Sequence, residues 1–103
     1  MVFIGFFFAA VFLFNGIPHF VQGICGKSHM TPFSRKSHPV TNVLWGLFNF
    51  GVGEVILHLS KTGPWQTSQT IAFWLGAIII SLGLSIFWSN PNAKLPWHSD
   101  QAS

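Results

Sequence analysis

Three long apolar stretches, almost free of charge, decide what this chain of 103 residues can fold into. A helix needs about 20 mainly apolar residues to cross a bilayer. Residues 1–24, 40–59 and 67–89 each meet this requirement, whereas strands of a membrane barrel are short and alternate in polarity. The sequence therefore predicts an all-α membrane protein. We expect a single transmembrane domain of three helices in an antiparallel, up-down-up arrangement, followed by a polar tail over 90–103.

Composition excludes several classes of protein. Only 7% of the residues are charged, whereas soluble domains carry about 25%. The net charge of +3 comes from five basic and two acidic residues, too few for a nucleic-acid surface. The single cysteine, Cys25, leaves no disulfide within the chain and no CxxC site. No nucleophile–base pair, phosphate loop or zinc motif is present, so we do not expect an enzyme.

The few basic residues predict the orientation of the helices. The N-terminal stretch has neither a basic start nor an A-x-A-like site, so we expect a mature span instead of a cleaved signal peptide. The first loop carries Lys27, Arg35 and Lys36, and the second carries only Lys61. Because basic short loops stay cytoplasmic, the N-terminus is expected outside, with the first loop and the C-terminus in the cytoplasm. The three first-loop residues either only set this topology or also contact anionic lipid or an acidic partner.

Polar side chains inside the first two stretches predict an interhelical seam. Asn15 and His19 are four residues apart around Pro18, so they share a helix face. Asn42 and Asn49 share a face with two glycines in the second stretch. In an antiparallel hairpin the depths match, which pairs Asn15 with Asn49 and His19 with Asn42. The seam either fixes helix register alone, or His19 also moves a proton or ligates a chlorophyll-type pigment or a haem.

Glu54 and His58 form a second polar face on the middle helix. They are four residues apart and point away from the asparagine face. An acid within a span is costly and marks a functional candidate. We expect this face to meet the third helix or a separate subunit. Glu54 is then either a protonated hydrogen-bond donor or, with His58, a proton or ion site in an oligomer.

Three stretches resemble small, uncharacterised bacterial multi-pass membrane proteins: FNGIPHF (14–20), GICGKSHMTPF (23–33) and VTNVLWGLFNFGVG (40–53). The resemblance covers the first two helices and their loop. It implies a bacterial inner membrane, and it implies that the Asn-Gly-x-Pro-His-Phe and Thr-Pro-Phe stretches act together, with Thr-Pro-Phe packing beneath the first helix. It implies no reaction and no ligand.

Two polar faces and several stripes of small residues predict contacts beyond one chain. The leading hypothesis is an accessory subunit of a larger inner-membrane complex, energy-transducing or photosynthetic, that packs against partner helices and shields a cofactor or a quinone path. One alternative is a homo-oligomeric transporter or channel that uses Glu54 and His58. Another is an assembly factor that binds transiently. No cofactor is required, and pigment or haem contact would go through His19.

Overall fold

The computed structural model describes residues 2–90 and 95–96 of the chain. Three helices in this part are long and apolar enough to cross a membrane. The predicted polar tail lies outside the described residues except for Asn90, Leu95 and Pro96. The elements, in chain order, are α1 (Val2–Ile24), β1 (His29–Thr31), β2 (Ser34–Ser37), α2 (Pro39–Ser60) and α3 (Thr67–Trp88).

A glycine cap ends α1 and turns the chain toward the strands. Gly26 adopts a positive φ of 74°, which glycine reaches without a Cβ clash. The backbone N–H of Lys27 donates to the Gln22 carbonyl at 2.9 Å, and that of Gly26 donates to the Gly23 carbonyl at 3.0 Å. These two bonds form a Schellman motif, so the chain leaves the helix at a fixed angle.

Side-chain caps start the other two helices. Pro39 occupies the start of α2, where its missing N–H costs nothing. The backbone N–H of Val40 donates to Nδ1 of His38 at 3.1 Å. At α3, Gln66 and Gln69 form a reciprocal capping box, in which the Gln66 N–H donates to Oε1 of Gln69 at 2.9 Å. Local sequence therefore sets both starts.

Glycines bring α1 and α2 into close contact as antiparallel neighbours. A Cβ on Gly16 would lie 2.8 Å from the Gly46 carbonyl oxygen, and one on Gly46 would lie 2.8 Å from the Phe20 nitrogen. Near the other end, a Cβ on Gly53 would lie 2.9 Å from the Ala9 carbonyl oxygen. The early part of α1 thus meets the late part of α2, and the backbones touch because side chains are absent.

The third helix packs against α1 and makes little direct contact with α2. Gly76 faces the Phe7 carbonyl. Just before α3, the Trp65 ring packs edge-on against Phe6 at 4.7 Å. At its far end, Trp88 reaches the strands beyond α1. The helix α1 is therefore central, with α2 and α3 as its two neighbours.

The described part of the chain is mostly helical, consistent with the predicted all-α class, and it adds a short β-hairpin in the first loop that the sequence did not predict. Strands β1 and β2 pair antiparallel, with Thr31 opposite Ser34 and His29 opposite Ser37. The Thr31 and Ser37 hydroxyls lie 2.6 Å apart in a buried position, and the Phe33 N–H donates to the Thr31 hydroxyl at 3.1 Å. Such short strands carry too little alternation to be recognised from the sequence.

Candidate functional site

Asn42 of α2 is hydrogen-bonded to both α1 and the β-hairpin, at the end of the helix bundle where the hairpin lies. Its side chain is 0% exposed. Its Nδ2 donates to the carbonyls of His29 at 3.0 Å, Ser37 at 3.1 Å and His38 at 3.3 Å. Its Oδ1 lies 3.1 Å from Nδ1 of His19. The sequence predicted the His19 partner, whereas the bonds to the hairpin required the tertiary structure.

This arrangement fixes which nitrogen of His19 carries hydrogen. Carbonyl oxygens only accept hydrogen bonds, so the three carbonyls orient the Asn42 amide with its NH₂ toward them. The Oδ1 of Asn42 can then only accept, and Nδ1 of His19 must donate. In the neutral ring, Nε2 of His19 is therefore an acceptor. No donor among the described residues reaches it, although the side chain is only 6% exposed.

Asn15 and Asn49 form the second polar pair, one turn along α1 from His19 and about two turns along α2 from Asn42. Nδ2 of Asn15 donates to Oδ1 of Asn49 at 3.1 Å, and Nδ2 of Asn49 donates to the Trp45 carbonyl at 2.8 Å. The Trp45 bond orients Asn49, and Asn49 in turn orients Asn15. Within the described chain, Oδ1 of Asn15 has no donor. Both pairs expected from the sequence thus lie at hydrogen-bond distance.

A partly open cavity of about 370 Å³ lies beside Asn15 and His19, which form its polar edge. Its walls come from α1, the hairpin, α2 and the end of α3. Its volume is at the small end of the range of about 300–1,000 Å³ typical of small-molecule sites. The lining residues are mainly apolar and aromatic, with Asn15, His19 and Thr31 as polar members beside Met30, Pro32, Trp45, Ile80, Gly83, Leu84, Phe87, Trp88 and Leu95.

His29 closes the space between the hairpin and α3. Its ring lies 5.1 Å from His19 and 4.3 Å from Trp88. Its Nε2 and the Trp88 Nε1 are buried without a hydrogen-bond partner in the described structure. Burial, together with the nearby His19 ring, lowers the pKa of His29 to about 4. The sequence suggested His29 only as a member of the basic first loop and did not predict this position, because only the fold brings β1 against α1 and α3.

Glu54 and His58 are exposed on the outward face of α2. Of the two partners expected for this face, the third helix does not cover it, because α3 packs on α1 instead, and contact with a separate subunit stays a prediction. The small residues of α1 and α3 let those two helices approach closely, which leaves the far side of α2 uncovered. On α2, an apolar groove of about 400 Å³ is lined by Phe48, Gly51, Val52, Val55 and Ile56, and Glu54 precedes Val55 in the chain without lining the groove.

The predicted basic residues all lie at the hairpin end. Lys27 and Lys36 are exposed, and Arg35 is partly exposed. Lys36 lines an open groove together with His38 of the α2 cap. The described residues contain no cluster of three or more His, Cys, Asp or Glu side chains that could hold a metal ion. Contact of a pigment or a haem with His19 stays a prediction.

Comparison with known proteins adds no family to this description. No family model matches the sequence, and searches of curated proteins and of solved structures find no match.

Proposed function

We propose that this chain is a small integral subunit of a larger complex in the bacterial inner membrane, energy-transducing or photosynthetic, and that it docks through the outward face of α2. The observation that carries the proposal is an exposed carboxylic acid, Glu54, beside an apolar groove that contains a glycine. In this role the chain contributes packing and positioning and performs no reaction of its own.

The surface of the bundle supports insertion into a membrane. Large apolar side chains of all three helices are exposed, among them Ile17, Leu44, Phe48, Ile79 and Leu82. Soluble monomers rarely expose large apolar patches, and lipid tails would cover these side chains without cost. The hairpin with its three basic residues would then face the cytoplasm, and the loop that holds only Lys61 would face outward.

The exposed carboxyl group of Glu54 favours contact of this face with a protein partner over contact with lipid alone. It stands six residues before Ser60, which is about 9 Å along the helix axis. A carboxylic acid inside a span costs up to about 2.5–3.5 kcal/mol unless a partner satisfies it. The described part of the chain supplies none, since α3 packs elsewhere. A polar group on a neighbouring subunit would remove this penalty.

Gly51 gives that partner a place to approach. A Cβ added to Gly51 would meet no atom of the described residues within 4 Å, so this part of the chain does not use the glycine for packing. Glycines on membrane helices let a second backbone come close. The groove that Gly51 lines therefore suits a helix of another subunit, whose polar side chain would reach Glu54.

A homo-oligomeric channel is the second candidate, and one observation favours it. Glu54 and His58 are both exposed on one side of α2, so copies of the chain arranged in a ring could place them along a shared path. In that assembly the partner helix would be a second α2, and Glu54 would exchange protons.

Native mass spectrometry of complexes released in mild detergent tests the proposal. We expect the chain at a fixed ratio with larger proteins, released by Gly51→Leu and retained by Gly83→Leu. The second variant is a matched control, because a Cβ at Gly83 also meets open space but lies on the cavity side. A monomer would contradict the proposal. A homo-oligomer whose pH-dependent flux is lost in Glu54→Gln would support the channel, and substoichiometric, transient binding would support an assembly factor.

A further inference from the structure

The cavity beside the polar seam presents two hydrogen-bond acceptors that nothing in the described chain satisfies. These are Nε2 of His19 and Oδ1 of Asn15. Both are held in orientation by a neighbour, since Asn42 fixes the His19 ring and Asn49 fixes the Asn15 amide. His19 is 6% exposed, so bulk solvent reaches it poorly. Acceptors left without a donor at the edge of a mainly apolar cavity point to a ligand that donates hydrogen bonds.

Asn15 also offers a donor at this edge, and Trp88 in the cavity wall carries a further Nε1–H without a partner in the described structure. The NH₂ of Asn15 has two hydrogens, and Asn49 takes only one of them. The Thr31 hydroxyl is already engaged by Ser37 and by the Phe33 N–H. The site therefore matches a group that donates one hydrogen bond and accepts another, which describes a hydroxyl.

The residues that line the cavity indicate what kind of group carries this hydroxyl. Aromatic rings of Trp45, Phe87 and Trp88 line the cavity, and aromatic surfaces pack well against flat rings. The volume of about 370 Å³ suits one ring, or two fused rings, and is small for a tetrapyrrole. A hydroxyl at the polar edge would place the ring against these side chains and leave any alkyl tail at the open side.

We propose that this cavity binds a hydroxyaromatic ring, a phenol or a hydroquinone, whose hydroxyl donates to Nε2 of His19 and accepts from Nδ2 of Asn15. The reduced, hydroxyl-bearing form of a quinone binds here in preference to the oxidised form, because the oxidised form has no hydrogen to donate to His19. This site lies on a different side of the molecule from the Gly51 groove and does not depend on the partner complex.

Binding of two probes that differ by one methyl group on the phenol oxygen tests the proposal. The probes are 4-decylphenol and its methyl ether, each titrated into detergent-solubilised full-length protein with ¹⁵N-labelled histidine. We expect the phenol to shift the Nε2 resonance of His19 in a saturable manner. We expect the ether to bind about tenfold more weakly, the loss that corresponds to one hydrogen bond of about 1.4 kcal/mol.

Two leucine variants locate the site. Gly83→Leu places a side chain into open space at the cavity wall, so it should fill the cavity without disturbing helix contacts and should abolish the shift. Gly51→Leu adds the same side chain in open space on α2 and should bind the phenol normally, even where it loses the partner complex. Equal affinity for phenol and ether would overturn the proposal, as would binding that persists in Gly83→Leu.

Discussion

Replacing Asn42 by leucine removes the side chain that holds the hairpin to both α1 and α2. Leucine is close to asparagine in size, so the change chiefly deletes hydrogen bonds. The variant loses the bonds to Nδ1 of His19 and to the carbonyls of His29 and Ser37. The His38 carbonyl keeps a donor, because it also accepts from the Asn42 backbone N–H at 3.1 Å. Three bonds are therefore lost without replacement.

The expected cost follows from these three bonds. Interhelical hydrogen bonds in membrane proteins contribute about 0.6 kcal/mol on average and up to about 1.7, and bonds to backbone carbonyls contribute about 1 kcal/mol. Asn42→Leu should therefore lower the free energy of unfolding by about 2–3 kcal/mol. Asn49→Leu is the matched control on the same helix. It loses the bond from Asn15 and a bond within α2 to Trp45, so it should cost about 1 kcal/mol.

The free energies can be measured by unfolding in mixed micelles with a rising fraction of SDS, followed by far-UV circular dichroism. Amide hydrogen exchange supplies a second, local readout. Exchange of the strand amides in 29–37 should accelerate in Asn42→Leu and stay unchanged in Asn49→Leu, because of these two asparagines Asn42 alone is hydrogen-bonded to the hairpin. Equal destabilisation by the two variants, or unchanged hairpin exchange in Asn42→Leu, would refute the assignment of Asn42 as the connecting residue.

Two further predictions concern packing and pH. Gly46→Ala should destabilise the protein by about 1–3 kcal/mol, because its Cβ would lie 2.8 Å from the Phe20 nitrogen. In the control Gly51→Ala the added Cβ meets open space, so this variant should be neutral or slightly stabilising. Equal stability of the two variants in micelles would contradict the close contact between α1 and α2. The pKa of His29 falls from 6.5 to about 4 on folding, so the neutral ring contributes fully to the free energy of unfolding above pH 6.5. This contribution is lost as the pH falls from 6.5 to 4, which lowers the free energy of unfolding by about 1–2 kcal/mol after allowance for partial exposure. His29→Phe should remove this part of the pH profile in the same unfolding assay, and an unaltered profile would show that His29 does not titrate in this way.

The sequence alone determined the three helical segments and the pairs along the seam. The predicted segment 1–24 corresponds to Val2–Ile24, and 67–89 corresponds to Thr67–Trp88. The length of an apolar run is a local property, and so are the caps that end it. The seam pairs followed because a four-residue spacing sets the face, while the rise per residue and an antiparallel turn set the depth.

Only the tertiary structure decided where α3 packs and which side chains surround His29. Apolar helices gain little from one apolar neighbour over another when lipid is equally apolar, so the choice depends on how closely two backbones can approach. The contact of Gly76 with Phe7 places α3 on α1 and leaves Glu54 facing outward. That same placement brings Trp88 to His29 and encloses the cavity beside His19. Periodicity along one helix carries no information about such a contact, because it arises from the shapes of two surfaces far apart in the chain.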